Sequence, residues 1–469
     1  MKKAISIILI VLLAFGGMVG CGNKVTGTTD STSEVKNDTS DVAEDTSGTV
    51  SNTDENTTES GDKVKITFMG WGNDSEVATF QAMIDQFEAT YKNVEVDYVV
   101  VPSSDFDTKL QNMIAAGEQP DVFYCGVDNV MKYAATGNLY DLTPFVNDND
   151  IFDVNNVWAN AINIYKYNGT GLGDGPIYAL PKDVSAFSVV YNKDLFAAAG
   201  ITAPTEDNPW DWNDYLDAAK KLTNGDVYGT SMYSMESAIW SNGADWLDDS
   251  LTKVAFTDPK FTEAFQFVAD LRCKYHVSPS SSEEASLSSY DRFMQGKLGM
   301  MGVGSWATAD LWKNCNFEWD LMDWPVSPNT GDKAIWFGSA GLAVSPTSKN
   351  IEAACNLAAF LAFNEDAQRT SYTNGMSVPT LKDMAYGEYM EMDKAPANKK
   401  AFLNVLDDYG RLATQSRTFN QEWWSEFNSG VESVYDGEIS AKDYCDSMVD
   451  SVQELLDKSI EQQNALNNK

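Results

Sequence analysis

"KVKITFMGWGNDSEVATFQAMIDQFEATYKNVEVDYVVV" occupies residues 63–101, and its reading decides the fold class. "KVKITFMGW" reads as a strand. "NDSEVATFQAMIDQFEATY" reads as a helix capped by Asn73, Asp74 or Ser75, because Val77, Phe80, Ile84, Phe87 and Tyr91 recur at helical spacing. "VEVDYVVV" alternates as a second strand. Downstream, "SDFDTKLQNMIAAG" is a helix closed by Gly117, and "PDVFYC" is a short buried strand. The order β-α-β-α-β predicts a parallel sheet covered by helices, so the class is α/β. The pattern continues through Tyr191, with further helices predicted over 212–222, 261–275, 351–363, 397–412 and 440–462.

Ahead of this ordered pattern the composition changes abruptly. Lys2 and Lys3 precede the apolar run "AISIILIVLLAFGGMVG", which leads to Cys21. That order of basic, apolar and small residues predicts an export signal over residues 1–20. Gly20-Cys21 looks like the cleavage and lipid-attachment site of bacterial lipoproteins, giving a membrane anchor on Cys21. Residues 21–62 hold no aromatic residue and few large aliphatics, and read as an acidic tether reaching on the order of 35 Å. An extracellular location on the cytoplasmic membrane follows as the expectation.

At 469 residues the chain exceeds what one hydrophobic core normally organises, so two lobes are expected. Its 69 acidic against 33 basic side chains give a formal charge of −36. Such a field repels nucleic acid and disfavours phosphorylated substrates, leaving neutral or cationic small molecules. His276 is the only histidine, which removes Ser-His-Asp and Cys-His triads and His-rich zinc sites unless it acts itself. Cys125, Cys273, Cys315, Cys355 and Cys445 are scattered without CxxC spacing, so neither a disulfide framework nor a metal cluster is expected.

Short glycine motifs carry little. "GTGLGDG" (169–175) reads as a loop, and "GMMGVG" inverts the dinucleotide fingerprint and lacks the lysine of a phosphate loop. The latter reads as a thin buried strand, with Ser305 as a helix cap. The tryptophans say more. Trp71 and Trp306 each lie just beyond a predicted strand and before a helix, which is the carboxyl edge where open sheets bind ligands. A flat apolar ring covers the C–H face of a pyranose, while neighbouring Asp, Asn and Ser take its hydroxyls.

Five stretches, in order, carry a family likeness: "GEQPDVFYCGVDNVMKYAATGNLYDLTPFV" (117–146), "IYALPKDVSAFSVVYNKDLFAAAGI" (177–201), "PWDWNDYLDAAKKLT" (209–223), "FMQGKLGMMGVGSWA" (293–307) and "GSAGLAVSPTSKNIEAACNLAAFLAFNEDAQ" (338–368). The chain resembles the extracellular solute-binding proteins, family 1, of bacterial ABC sugar importers. The resemblance implies a periplasmic-binding-protein-like fold: two α/β lobes with a ligand cleft between them and crossings near 183–186, 336–339 and 382–383. Lobe one is then 63–184 with 337–382, and lobe two 185–336 with 383–469.

Carried over by the same resemblance, the ligand-binding residues are Trp71, Asn73, Asp128, Asp183, Ser185, Trp240, Asn242, Trp306, Trp336, Gly338, Ser339, Arg417 and Trp424. The implied function is non-catalytic capture of a carbohydrate, an oligosaccharide in particular, for an ABC permease. A monomer with no cofactor and no metal is expected. Competing readings are a secreted carbohydrate-active enzyme, a receptor for a cationic solute such as a polyamine, and an adhesive surface lipoprotein without an enclosed cleft.

Overall fold

The computed structural model describes residues 63–148 and 152–467. The signal segment, Cys21 and the tether lie outside the described residues. Where the chain becomes described, the expected elements form. β1 (Val64–Gly70), α1 (Asp74–Thr90), β2 (Val94–Val100), α2 (Ser103–Ala116) and β3 (Val122–Gly126) follow in that order, and α3 (Val127–Ala135) continues directly from β3. Asn73 caps α1 in a capping box: its side chain accepts from the Glu76 amide at 2.9 Å, and the Glu76 carboxylate accepts from the Asn73 amide at 3.0 Å. α1 then buries Phe80, Met83, Ile84 and Phe87 against the sheet, each worth about 1.5–3 kcal/mol. Gly117 stops α2 in the left-handed conformation.

The later strands, numbered in chain order, are β4 (Lys166–Tyr167), β5 (Leu172–Ile177), β6 (Ala179–Pro181), β7 (Ser185–Asn192), β8 (Tyr228–Ser231) and β9 (Leu298–Gly304). They end with β10 (Trp319–Met322), β11 (Ile335–Gly338), β12 (Ala340–Val344) and β13 (Gly410–Arg411). One sheet has the order β2-β1-β3-β12-β6, and a second has β13-β11-β7-β9-β8 with β10 also on β7. The first sheet is not wholly parallel as expected. β1, β2 and β3 are parallel, but β12 runs antiparallel to β3 and β6, because the chain re-enters this sheet from the other one.

Each sheet organises one α/β lobe, and the chain passes between them at short joints. Pro181 closes β6 and Ser185 opens β7; Gly338 closes β11 and Ala340 opens β12. The third passage comes later than 382–383. Glu388 still pairs with Arg369 at 2.8 Å in the first lobe, whereas the Ala395 carbonyl accepts from the Trp312 indole at 2.6 Å in the second. We place the crossing between Glu388 and Asn398, whose amide donates to Asp320 of β10 at 2.8 Å.

Two local readings change. "GTGLGDG" is not all loop: residues 168–171 turn, and Leu172–Ile177 pairs with β4 as a hairpin. Gly169, Gly173 and Gly175 hold positive φ there, and a β-carbon on Gly175 would press on the Tyr167 carbonyl, so glycines replace the usual alternation. Ser305 does not cap a helix. A 3-10 turn, Ser305–Ala307, intervenes before the helix Thr308–Asn314, and the Ser305 side chain makes no capping bond. The five described cysteines are all free, with Cys125, Cys355 and Cys445 buried.

Candidate functional site

The joints between the sheets lie side by side. Gly338 pairs with Ser185 and Gly341 with Pro181, so the first two crossings run antiparallel. Side chains tie them together around Asp183. Its Oδ1 accepts from Ser185 at 3.0 Å and from Ser339 at 2.9 Å, and its other oxygen pairs with the Lys182 ammonium. Both members of that ion pair are buried. Burial alone would lower the Lys182 pKa, but the Asp183 and Glu76 carboxylates outweigh it and leave it raised. The Tyr165 hydroxyl donates to the Ser339 carbonyl at 2.7 Å and fixes the second joint from below.

Above these joints opens a cavity of about 670 Å³. It is lined by Trp71, Asp128, Asp183, Ser185, Trp306, Trp336, Gly338, Ser339 and Trp424, nine of the thirteen residues carried over by resemblance. Each tryptophan is half-buried, with its orientation set by neighbours. Trp71 stands edge-on to Phe106 and Tyr124, at 4.6 and 4.9 Å between ring centres. Trp306 and Trp336 lie near-parallel, 6.0 Å apart, and both lie near-parallel to Phe187 of β7. Trp424 stands edge-on to the buried Trp246 at 5.1 Å.

The other four predicted residues lie elsewhere. Asn73 sits at the rim, where its amide reaches Asp310 of the opposite lobe at 3.2 Å. Trp240 is buried against Trp246, with the Arg411 guanidinium 5.1 Å over its ring. Asn242 is fully buried and already engaged: its amide donates to the Lys260 carbonyl at 2.7 Å, and its oxygen accepts from Ser327 and Asn329 at 2.7 and 2.9 Å. Arg417 shares a 3-10 turn with Gln415 and Ser416, and those two, not the arginine, face the cavity.

Sequence reasoning missed Glu76, Lys182, Glu236, Gln415 and Ser416 as lining residues. Lys182 was signalled by adjacency to Asp183, and Ser416 by adjacency to Arg417. Glu236 gave no signal beyond following Ser234, which caps its helix and also donates to its carboxylate at 2.8 Å. Burial raises the Glu236 pKa. Across the rim, Ser416 donates to Asp128, another direct tie between the lobes.

Residues 59–368 match the family model for the bacterial extracellular solute-binding protein. The chain belongs to this family. Among relatives of this solute-binding protein, a binding protein of Brucella abortus is 26% identical over 340 residues, 70% of this chain and 78% of the relative. The diacetylchitobiose binding protein of Streptomyces coelicolor is 26% identical over 270 residues, 56% of this chain and 61% of the relative. Among solved structures, an ABC substrate-binding protein of Listeria monocytogenes, in complex with cycloalternan, matches with TM-score 0.75 and 26% identity. The match covers 84% of this solute-binding protein and 99% of the other chain.

Proposed function

We propose that this protein captures an oligosaccharide between its lobes and presents it to an ABC permease, without chemical change to the sugar. One observation carries the reading: four half-buried tryptophans from both lobes face a cavity of about 670 Å³ whose remaining walls offer Asp128, Asp183, Ser185 and Ser339. Apolar rings cover sugar faces and the polar groups take hydroxyls, the mix that suits a polyol of several rings. The relatives that bind diacetylchitobiose and cycloalternan support the saccharide class. Attachment through a lipid on Cys21, with the bound sugar handed over at the outer face of the membrane, completes the reading.

The deciding experiment is native mass spectrometry of the purified protein against a broad oligosaccharide panel, with tryptophan fluorescence on the hits. Binding should quench or shift the fluorescence and raise the melting temperature by linkage. Failure of every saccharide in both measurements, or turnover of any glycoside by clean protein, would overturn the proposal.

A further inference from the structure

The cavity walls are more acidic than recognition of hydroxyls requires. Glu76, Asp128 and Asp183 line it from the first lobe and its joint, and Glu236 from the second. Among the described lining residues Lys182 is the one base; it is bound to Asp183 and also acts on Glu76, which leaves Asp128 and Glu236 without a cation in the lining. Glu76, Asp128 and Glu236 each accept a neutral donor on one oxygen: the Asn73 amide, the Ser416 hydroxyl and the Ser234 hydroxyl respectively. Each keeps a second oxygen. Closing a cleft over several carboxylates with so little countercharge is costly, because their repulsion and lost hydration both grow as water leaves. A neutral polyol supplies hydroxyl donors but no charge. A cation on the ligand removes both costs, and the tryptophans add a face attractive to cations.

We propose that the cleft selects a saccharide carrying a protonated amine, such as a free amino-sugar unit, over its neutral or N-acylated counterpart. This rests on the saccharide reading above and sharpens it. The amine is drawn to Asp128 and Glu236, which line the cleft from opposite lobes, while pyranose faces rest on Trp306. A carboxylated or phosphorylated sugar is rejected by the same walls.

The test uses matched pairs by isothermal calorimetry: maltotriose against its 6-amino-6-deoxy derivative, and the glucosamine trimer against the N-acetylglucosamine trimer, with spermidine as the sugar-free cation. The expected result is at least tenfold tighter binding of the amine member in one pair, weakening as salt rises from low to physiological strength. In Glu236→Gln the amine-to-neutral ratio should fall several-fold. Equal or tighter binding of the neutral members would overturn the amine proposal while leaving the saccharide reading intact. Spermidine binding as tightly as any amino-sugar would overturn it too. Binding by no saccharide at all would end both readings.

Discussion

The indole of Trp306 folds back over the backbone of Gly304, so close that a β-carbon on Gly304 would collide with its six-membered ring. Gly304 is the last residue of β9, and Trp306 lies in the turn that follows. The bare Cα thus serves as the seat on which the ring lies toward the cavity. Phe187 on the neighbouring strand and Trp336 on β11, both near-parallel to it, hold it there.

Gly304→Ala should therefore act as a binding mutation without removing any ligand contact. The methyl group displaces the indole from its seat, and ligand affinity should fall by about 1–3 kcal/mol, the range for an aromatic stacking contact with its burial. Trp306→Ala should cost a similar amount, and the double substitution little more than either alone, because both remove one platform. Calorimetric titration of the three variants checks this; additive losses would show that the ring is not seated by the glycine.

The Lys182–Asp183 pair lies in the first joint, buried on both sides. Asp183→Asn leaves an ammonium without its closest countercharge, and breaking such a pair by one partner costs about 3–5 kcal/mol. Replacing both, as Lys182→Met with Asp183→Asn, should recover part of that loss because no uncompensated charge remains. Urea unfolding of the single and double variants measures both numbers.

Glu236 should make the protein less stable at neutral than at mildly acidic pH. Burial holds its carboxyl above the ordinary glutamate value, so the folded state keeps its proton over a range where the unfolded state has released it. The contribution is present below the unfolded pKa and is lost as pH rises through the folded one. Glu236→Gln removes the penalty, so its melting temperature should exceed that of the parent protein at pH 7. The two should converge below pH about 4.5, the unfolded carboxyl value. Melting curves across pH decide it; an unchanged gap at all pH values would place the effect outside the carboxylate.

How much of this was legible from residues alone depended on the kind of signal. β1 through β3 and the helix Trp212–Leu222 could be read because apolar spacing and caps are local. Trp71 and Trp306 were readable as lining residues because strand ends in a parallel arrangement point to the ligand edge. Trp240 and Asn242 were not separable from a sugar-binding loop, since an aromatic beside an amide looks the same when the amide is spent on Lys260, Ser327 and Asn329. Arg417 missed by a fraction of a turn: a 3-10 segment aims Gln415 and Ser416 inward, and no periodicity reveals its phase. The β4–β5 hairpin was hidden because glycines carry no alternation.

The displaced role of Asn242 has its own consequence. Asn242→Leu should leave ligand affinity unchanged while lowering stability. The buried Ser327 hydroxyl loses its acceptor and the Lys260 carbonyl loses its donor, and leaving buried polar groups unsatisfied costs about 1–3 kcal/mol. Parallel thermal unfolding and ligand titration separate the two effects, and a selective loss of affinity would return Asn242 to the site.

Closure is also held from outside the cleft. The long helix Ala441–Asn467 packs on second-lobe helices Pro259–Cys273 and Glu422–Asn428, yet its end reaches the β4–β5 hairpin of the first lobe. Gln463 donates to the Thr170 carbonyl at 2.9 Å and Asn467 to that of Gly169 at 2.6 Å. Leu466 packs on a small apolar cluster of Met131, Tyr167 and Phe419 that spans both lobes. These contacts bridge the lobes, so we expect them to favour the form in which the lobes meet, and apparent affinity scales with the population of the binding-competent form. Leu466→Ala combined with Gln463→Ala removes about 1–2 kcal/mol of such contact. Ligand affinity should then fall several-fold although no cleft residue is altered, and X-ray scattering of the free variant should show a larger radius of gyration. If affinity and radius both stay at the parent values, the helix end is packing alone and does not govern closure.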